Sequence, residues 1–319
     1  MIKLCIKCGA EGHTNRSCKE PVTSFGLVVY TKGKPGFHKG RLYERQHTDC
    51  DFHPKLETDR FSATPSKPGE LLFLLVERKD TVGFLNLVQG SYPEIEPYKS
   101  KKLQRYLSEL TCEERQKLVQ LPFMDLWKVA GSDKKDVPKA QNKYINLDIQ
   151  KWISSSACLY READYIMPKG RLKFAESTRQ CALREFSEET GYSRNDVQLI
   201  DVPPYVEQFV GTDGKTYRNV FYVGRLKDSA RICTKLGDDP NQSKEVRNIG
   251  WFNIVDCQYL MRDYHQDKKD ILLNAHSLIL TVKDERRKTF SCPPPQRWYS
   301  TWRPDAYRLV RDVAPVKMS

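Results

Sequence analysis

Between Gly170 and Tyr192 the chain reads Gly-Arg-Leu-Lys-Phe-Ala-Glu-Ser-Thr-Arg-Gln-Cys-Ala-Leu-Arg-Glu-Phe-Ser-Glu-Glu-Thr-Gly-Tyr, and no other stretch restricts the fold as strongly. Its middle is a helix marked at both ends. Ser177 and Gln180 have capping-box spacing, and Gly191 suits the left-handed position that stops a helix. At about 100° per residue, Glu185, Glu188 and Glu189 fall on one arc roughly 100° wide, beside a face formed by Ala182, Leu183 and Phe186. One side is apolar and its neighbour carries the carboxylates. Clustered like charges repel and raise one another's pKa, a cost that a divalent cation between them removes; hard oxygen ligands of this kind suit Mg2+ or Mn2+. The plainer alternative is a solvated helix face on which Arg184 pairs with Glu188 at i,i+4.

With 319 residues the chain can hold one main domain plus additions, or two domains. No apolar run is long enough to span a bilayer, and the start, Met-Ile-Lys-Leu-Cys-Ile-Lys-Cys, lacks the apolar segment of a secretory signal. A soluble intracellular protein is expected. The net charge of +12 and pI near 9.1 come from Lys and Arg spread along the chain, which favours a polyanionic partner such as nucleic acid. Charge alone does not separate RNA from DNA, polyphosphate or an anionic membrane.

Cys5, Cys8, His13 and Cys18 have C-x2-C-x4-H-x4-C spacing, with Gly9 and Gly12 where a very short loop must turn around a metal. Three thiolates and an imidazole make a closed tetrahedral zinc site that holds so short a segment without a core. The pattern is similar to the zinc knuckle of nucleic-acid-binding proteins. Ile6 stands where many knuckles carry a base-stacking aromatic, which argues against strong sequence-specific RNA binding by this unit. The alternative is a frayed terminus with coincidental cysteines. Cys50, Cys112, Cys158, Cys181, Cys233, Cys257 and Cys292 are scattered, and reduced thiols are expected.

Phe25 to Thr31 and Leu71 to Glu77 are apolar runs of buried-strand length, and Val82 to Tyr92 reads as a further strand. Residues 32–70, rich in Gly, Pro, Lys and Asp, read as a long loop; His38, His47, Cys50 and His53 lie in it without finger-like spacing. From Pro93 to about Leu159 the period is helical: Leu103, Tyr106, Leu107 and Leu110, a second capping box at Thr111 and Glu114, then Leu118, Val119 and Leu121 up to Pro122. Lys99, Lys101, Lys102, Arg105, Arg115 and Lys117 are assigned to the polar face, either a surface for a phosphate backbone or ordinary solvated cations. Tyr165 to Gly170 leads a strand into the acidic helix. Val197 to Val202, Tyr205 to Val210 and Tyr217 to Leu226 follow as strands, with a hairpin loop at residues 211–214. Glu245 is a further carboxylate on a loop entering the strand with Trp251. Asp267 to Val282 has Ile271, Leu272, Ala275, Leu278 and Ile279 at helix-core spacing. After Cys292 prolines exclude a regular helix, leaving Arg297, Trp298, Tyr299, Trp302 and Arg303 either to stack on bases or to pin a tail.

The acidic helix and its approach satisfy every fixed position of the Nudix box: Gly170, five residues, Glu176, seven residues, Arg184-Glu185-Phe186, one residue, Glu188-Glu189, one residue, Gly191-Tyr192. The chain thus resembles Nudix hydrolases from about residue 25 to 280. The resemblance implies an α/β fold, an α/β/α sandwich with a mixed sheet. The divisions expected are a CCHC zinc knuckle at 1–22, the hydrolase domain at 23–92 and 160–282, an inserted helical domain at 93–159, and a C-terminal extension at 283–319. It also implies roles. The Gly170 carbonyl, Glu185, Glu188 and Glu189 would hold Mg2+ or Mn2+; Glu185 is a candidate base for the attacking water, Arg184 would orient a carboxylate, and Glu176 would support the helix. Glu245 resembles the extra carboxylate, base or metal ligand, that decapping members supply from outside the box.

Met167-Pro168-Lys169-Gly170-Arg171 is similar to the Pro-Lys-Gly-Lys lead of eukaryotic mRNA-decapping enzymes. Phe25-Gly-Leu-Val-Val-Tyr, the stretch from Glu77-Arg-Lys-Asp to Gln89-Gly-Ser-Tyr, the helical insertion and Asp125-Leu-Trp resemble decapping hydrolases of large nucleocytoplasmic DNA viruses. The activity implied is metal-dependent cleavage of the cap pyrophosphate, giving 7-methyl-GDP and 5′-monophosphate RNA. Capped mRNA is then the partner, Zn2+ sits in the knuckle, and Lys99, Lys101, Lys102, Arg105 and Lys169 contact RNA. Such a protein is expected in the host cytoplasm, with the virion as the other location, and a dimer stays open. Two other readings stand beside it: a Nudix enzyme for diphosphoinositol polyphosphates or free nucleotides, and an RNA-binding protein whose domain no longer turns over.

Overall fold

The computed structural model describes residues 4–33, 38–39, 64–131, 136–211, 214–230 and 242–285. Its frame is a mixed sheet centred on β1 (Val22–Lys32) and β4 (Leu71–Arg78), two apolar strands buried along most of their length. The order runs β10 (Val246–Phe252), β4, β1, β9 (Thr216–Leu226), β7 (Val197–Leu199). β5 (Tyr165–Ile166) pairs with β4, β6 (Lys169–Arg171) with β1, and β8 (Tyr205–Val210) with β9. β1 and β9 run parallel and the other ladders of this sheet are antiparallel, which makes the expected mixed sheet. A separate ladder joins β2 (His38–Lys39) to β3 (Thr64–Pro65), within the stretch expected as loop.

β1 and β4 pair only where Tyr30 to Lys32 meets Leu71 to Phe73. Beyond that point the residues after the helical segment fill the gap: β5 bonds Val76 and Glu77 of β4, while β6 bonds Ser24, Phe25 and Gly26 of β1. This wedge carries Gly170 to the helix α7 (Thr178–Thr190).

Helices α1 (Val82–Val88), α2 (Tyr98–Glu109), α3 (Cys112–Gln120), α4 (Phe123–Ala130), α5 (Val137–Ile145) and α6 (Ile149–Ser154) lie between β4 and β5 in the chain. They share an apolar core that includes Phe84, Leu87, Leu103, Tyr106, Leu107 and Leu126. Residues 82–88, expected as strand, are helical. The apolar residues there satisfy both periods, and the decision lies with Thr81, whose hydroxyl caps the Phe84 N–H while the buried Glu114 carboxylate accepts the Thr81 N–H at 2.6 Å. The helical core therefore starts before residue 93. Arg115 also departs from expectation: it is buried, and its guanidinium donates to the carbonyls of Leu107, Ile153, Ser156 and Ala157, tying α3 to the chain beyond α6. At the same junction Cys112 and Cys158, expected as reduced thiols, form a disulfide with their Cα atoms 5.9 Å apart. A separation of 46 residues gives the sequence no local signal of that pairing.

Downstream come α8 (Gln242–Glu245), α9 (Ile254–Leu260) and α10 (Gln266–Glu285). Residues up to Ser277 form one compact unit; of the second, which begins at Leu278, the described part is the end of α10. The N-terminal Cys/His segment docks on the start of β1. Thr23 donates its N–H to the Lys7 carbonyl at 2.7 Å, and a Cβ on Gly9, whose φ is +77°, would lie 2.5 Å from the Phe25 ring. His47, Cys50, His53, Cys233 and the tail with Trp298 and Trp302 lie outside the described residues. Among the described residues no helix is long and apolar enough to cross a membrane.

Glu77 supplies a test of this packing. It is buried, it accepts the Ala163 N–H and the Tyr165 hydroxyl at 3.2 Å each, and burial pushes its pKa up to about 7 against the charge of Arg247. A carboxyl whose folded pKa is raised contributes stability below its unfolded pKa, and that contribution is lost as pH rises through the folded value. Urea unfolding of wild type and Glu77→Gln between pH 4 and 8 is expected to show the wild type losing stability relative to the variant, by up to roughly 3 kcal/mol. A constant difference contradicts the assignment.

Candidate functional site

The sequence signals that bound α7 are realised. Gln180 donates its N–H to the Ser177 hydroxyl at 3.2 Å, its side-chain oxygen accepts the Ser177 N–H at 2.9 Å, and Gly191 ends the helix at φ +74°. The inner face, Cys181, Ala182 and Phe186, joins a core with Leu27, Val29, Leu74 and Trp251. Tyr192 stacks on Phe186 with ring centroids 5.6 Å apart, and its hydroxyl accepts the Trp251 indole N–H at 3.0 Å. The C-terminal end of the helix is thereby fastened to β10.

Arg184 organises the outer face. Its guanidinium is buried and forks onto Glu176 at 2.8 and 3.0 Å, while Nη1 donates to Glu185 at 2.6 Å and Glu188 at 2.8 Å. A fourth partner is the Arg171 carbonyl at 2.9 Å. Burial of this side chain disfavours charge, yet its hydrogen bonds to Glu176 and Glu185 hold its pKa above the ordinary value. Glu176 also accepts the Lys173 N–H at 3.0 Å, and although burial raises a carboxylate, the Arg184 hydrogen bonds keep its pKa low. The alternative i,i+4 pairing of Arg184 with Glu188 is therefore present, but as one contact of several.

Gly170 stands where no side chain fits: a Cβ there would be 2.1 Å from the Glu185 carboxyl carbon. The Glu185 carboxylate thus lies on the backbone of β6. Burial raises its pKa, and the charges of Glu188 and Glu245 add to the shift against Arg184. Glu189 is buried and accepts the Lys169 N–H at 3.1 Å; burial raises its pKa, with Glu185 and Glu245 pushing the same way. Glu188 is half-exposed and reaches Lys173 at 3.2 Å. Glu245 is exposed at the end of α8, immediately before β10. Its carbonyl accepts the Lys79 N–H at 2.9 Å, and Gln242 of the same turn donates to the Glu189 carbonyl at 3.0 Å. Residue 245, expected on a loop, lies on a helical turn, near enough to Glu185 and Glu189 for its charge to raise their pKa.

Gly170 of β6, the α7 carboxylates Glu185, Glu188 and Glu189, and Glu245 before β10 thus neighbour one another. Their donor set is all oxygen, and the missing Cβ of Gly170 lets the Glu185 carboxylate lie against the backbone. This composition fits a hard divalent cation.

Lys169, expected to contact RNA, is only partly exposed and lies inside the site. Burial lowers its pKa, and the charges of Arg78 and Lys268 lower it further. Lys268 and Glu207, 3.2 Å apart and both buried, belong to this neighbourhood and escaped the sequence reading. Alternation along β8 puts Glu207 and Phe209 on one face, a signal that could have marked them.

On α2, Lys101 and Arg105 are exposed, Lys99 and Lys102 partly so, and Arg105 pairs with Glu109 at 3.3 Å. An open groove of about 590 Å³ beside Lys99 is lined by Tyr92, Lys139, Asn142, Lys143 and Asn146. At the N-terminus, the ligand atoms of Cys5, Cys8, His13 and Cys18 all lie within 4.8 Å of one another, and the Ala10 N–H points at the Cys8 sulfur at 3.5 Å. Such a cluster could bind zinc.

Residues 152–274 match the model of the NUDIX domain. A candidate mRNA-decapping protein of Acanthamoeba polyphaga mimivirus is 23% identical over 351 residues, covering 87% of this chain and 94% of that protein. The mRNA-decapping protein g5R of African swine fever virus, isolate Pig/Kenya/KEN-50/1950, is 28% identical over 123 residues, 35% of this chain and 46% of that protein. Among solved structures, the crystal structure of a C. elegans Ap4A hydrolase aligns over 82% of this chain and 99% of that one at 11% identity, with a TM-score of 0.36.

Removing the Arg184 guanidinium tests the geometry. Arg184→Met leaves Glu176 and Glu185, both largely shielded from solvent, without their counter-charge, and a loss of about 3 kcal/mol in denaturant unfolding is expected. Glu188→Gln, which alters a half-exposed partner, is expected to stay within about 1 kcal/mol of wild type. Equal stability of Arg184→Met and wild type contradicts this account.

Proposed function

We propose, on the premise that this chain carries a Nudix hydrolase domain and is homologous to the mRNA-decapping proteins of mimivirus and African swine fever virus, that it cleaves the pyrophosphate of an mRNA cap. The products are 7-methyl-GDP and 5′-monophosphate RNA. The single observation that carries the reading is the Glu185 carboxylate lying against the bare backbone of Gly170, with Glu189 accepting the N–H of the adjoining Lys169, at the end of a Pro168-Lys169-Gly170 lead.

The Gly170 carbonyl, Glu185, Glu188 and Glu189, with Glu245, are the residues that would hold Mg2+ or Mn2+. A divalent cation there supplies charge neutralisation at the phosphoryl oxygens and a more acidic water. Arg184 fixes the rotamers of Glu185 and Glu188 by hydrogen bonds at 2.6 and 2.8 Å. Glu185 and Glu245 are the candidate bases for a proton of the attacking water. Lys99, which lines the groove with Lys139 and Lys143, and Lys101, Lys102 and Arg105 of the same helix are assigned to the phosphates of the RNA body. In this reading the helical segment is an RNA-holding insertion within a split hydrolase domain, and the Cys/His segment is a zinc knuckle that braces β1.

RNA labelled in the cap is expected to release 7-methyl-GDP with Mg2+ or Mn2+, and Glu188→Gln or Glu189→Gln to lower kcat roughly 10²-fold or more. Long capped RNA is expected to be preferred over a free cap dinucleotide, with an advantage that falls as salt rises and shrinks in Lys101→Ala. Faster turnover of diphosphoinositol polyphosphates, or equal rates on RNA and dinucleotide, contradicts the assignment. Elemental analysis is expected to find one zinc per chain, lost in Cys5→Ser together with a lower melting temperature. A zinc-free protein of unchanged melting temperature rules out the knuckle.

A further inference from the structure

Glu245 sits on a turn held from two sides. Gln242 donates to the Glu189 carbonyl at 3.0 Å, and the Glu245 carbonyl accepts the Lys79 N–H at 2.9 Å. Two residues on, the chain returns to Lys79: Nε and Nη2 of Arg247 donate to the Lys79 carbonyl at 3.2 and 2.8 Å. Lys79 thus gives its N–H to residue 245 and its carbonyl to residue 247. The third nitrogen of the fork, Nη1, donates to Glu113 at 2.8 Å. Glu113 lies in the first turn of α3 beside Glu114, whose carboxylate accepts the Thr81 N–H and hydroxyl at 2.6 and 2.9 Å. Adjacent carboxylates of the helical insertion therefore grip β10 and the start of α1 together.

Arg247 also stands where the ladder of β10 and β4 shifts register. Val246 pairs with Arg78 and Asn248 with Glu77, so residue 247 is the extra one of a bulge. A bulge bends its strand and re-aims neighbouring side chains, and this one follows Glu245 by two residues. Left out of the register, residue 247 is joined to the chain after β4 by its guanidinium. The side chain is 19% exposed, so water competes little for these bonds. The plainer role is that of a counter-ion: Lys117 and Arg247 both pair with Glu113, at 2.7 and 2.8 Å, and the Arg247 charge acts on the buried Glu77. A counter-ion requires only a charge nearby. Two bonds onto one carbonyl and a third onto a carboxylate fix direction as well, which a lysine ammonium does not reproduce.

We infer that Arg247 is a positioning residue for Glu245: it fastens the turn bearing that carboxylate to Lys79 and, through Glu113, to the helical insertion. The inference rests on the reading of Glu245 as a base or metal ligand of the hydrolytic site. The seating of the insertion on the sheet then sets where this carboxylate stands relative to α7.

A double-mutant cycle of Arg247→Met and Glu245→Gln in the full chain tests it, read in the Mn2+ dissociation constant by electron paramagnetic resonance and in the single-turnover rate on cap-labelled RNA. Glu245→Gln is expected to worsen at least one of these, and Arg247→Met to worsen the same quantity about tenfold, as loss of an outer partner of a metal site does. In the Glu245→Gln background Arg247→Met is expected to add less than about twofold. Arg247→Lys, which keeps the charge alone, is expected to resemble Arg247→Met, and Glu113→Ala, which removes one anchor and leaves the bonds to Lys79, to fall between Arg247→Met and wild type. Circular dichroism melts identify any variant unfolded at the assay temperature; if Arg247→Met is one, Glu113→Ala takes its place in the cycle. An equal loss in both backgrounds, wild-type values for Arg247→Lys, or a Glu245→Gln protein indistinguishable from wild type refutes the positioning role, and decapping still stands if wild type releases 7-methyl-GDP. Wild-type values for Glu113→Ala refute the link to the insertion. A cycle non-additive in Mn2+ affinity, with no 7-methyl-GDP released by wild type, keeps the positioning role and overturns decapping.

Discussion

The fork between Arg184 and Glu176 is the contact on which the site depends. The buried guanidinium satisfies two oxygens of Glu176, one each of Glu185 and Glu188, and the Arg171 carbonyl. Without it, the loop entering α7 and the acidic face of the same helix would repel each other across a desolvated gap. Arginine fills this position because a planar fork reaches carboxylates on both sides at once, which the single ammonium of lysine cannot. The carboxylates are consequently fixed in direction as well as placed together.

The sheet supplies the other half of the site. β1 and β4 separate after a short ladder, and the Tyr165–Arg171 segment enters between them, so that a strand no longer than Lys169–Arg171 is clamped on one side by β1 and on the other by the charges of α7. Gly170 can sit against Glu185 because it has no Cβ. The helical core inserted between β4 and β5 is anchored where it leaves and returns: Glu114 holds Thr81 at one end, while Arg115 and the Cys112–Cys158 disulfide hold the chain beyond α6 at the other. A long insertion is thus joined to the sheet by short, hydrogen-bonded connections.

Much of this was legible in the sequence because its signals are local. The Ser177–Gln180 box, Gly191 and the spacing of Glu185, Glu188 and Glu189 lie within one helix, and the Cys5–Cys18 ligands within one small loop. The apolar runs of β1 and β4 are likewise self-contained. What escaped depends on partners far along the chain. Residues 82–88 fit strand and helix periods alike until Glu114 caps Thr81. Arg115 looks like any solvated cation until the carbonyls from α6 close around it, and Lys268 gains its meaning only from Glu207 on another element. Lys169 shows the same limit: its place in the motif was readable, its burial was not.

The central claim is that the acidic face of α7, with the backbone of Gly170, is a divalent-cation site. Anomalous diffraction at the manganese edge, from crystals of the full chain soaked in MnCl2, tests it most directly. The account predicts a manganese peak in contact with the Gly170 carbonyl and the carboxylates of Glu185 and Glu189, absent in crystals of Glu189→Gln. Density that leaves those carboxylates on Arg184 and Lys169, with no anomalous peak beside Gly170, would contradict it.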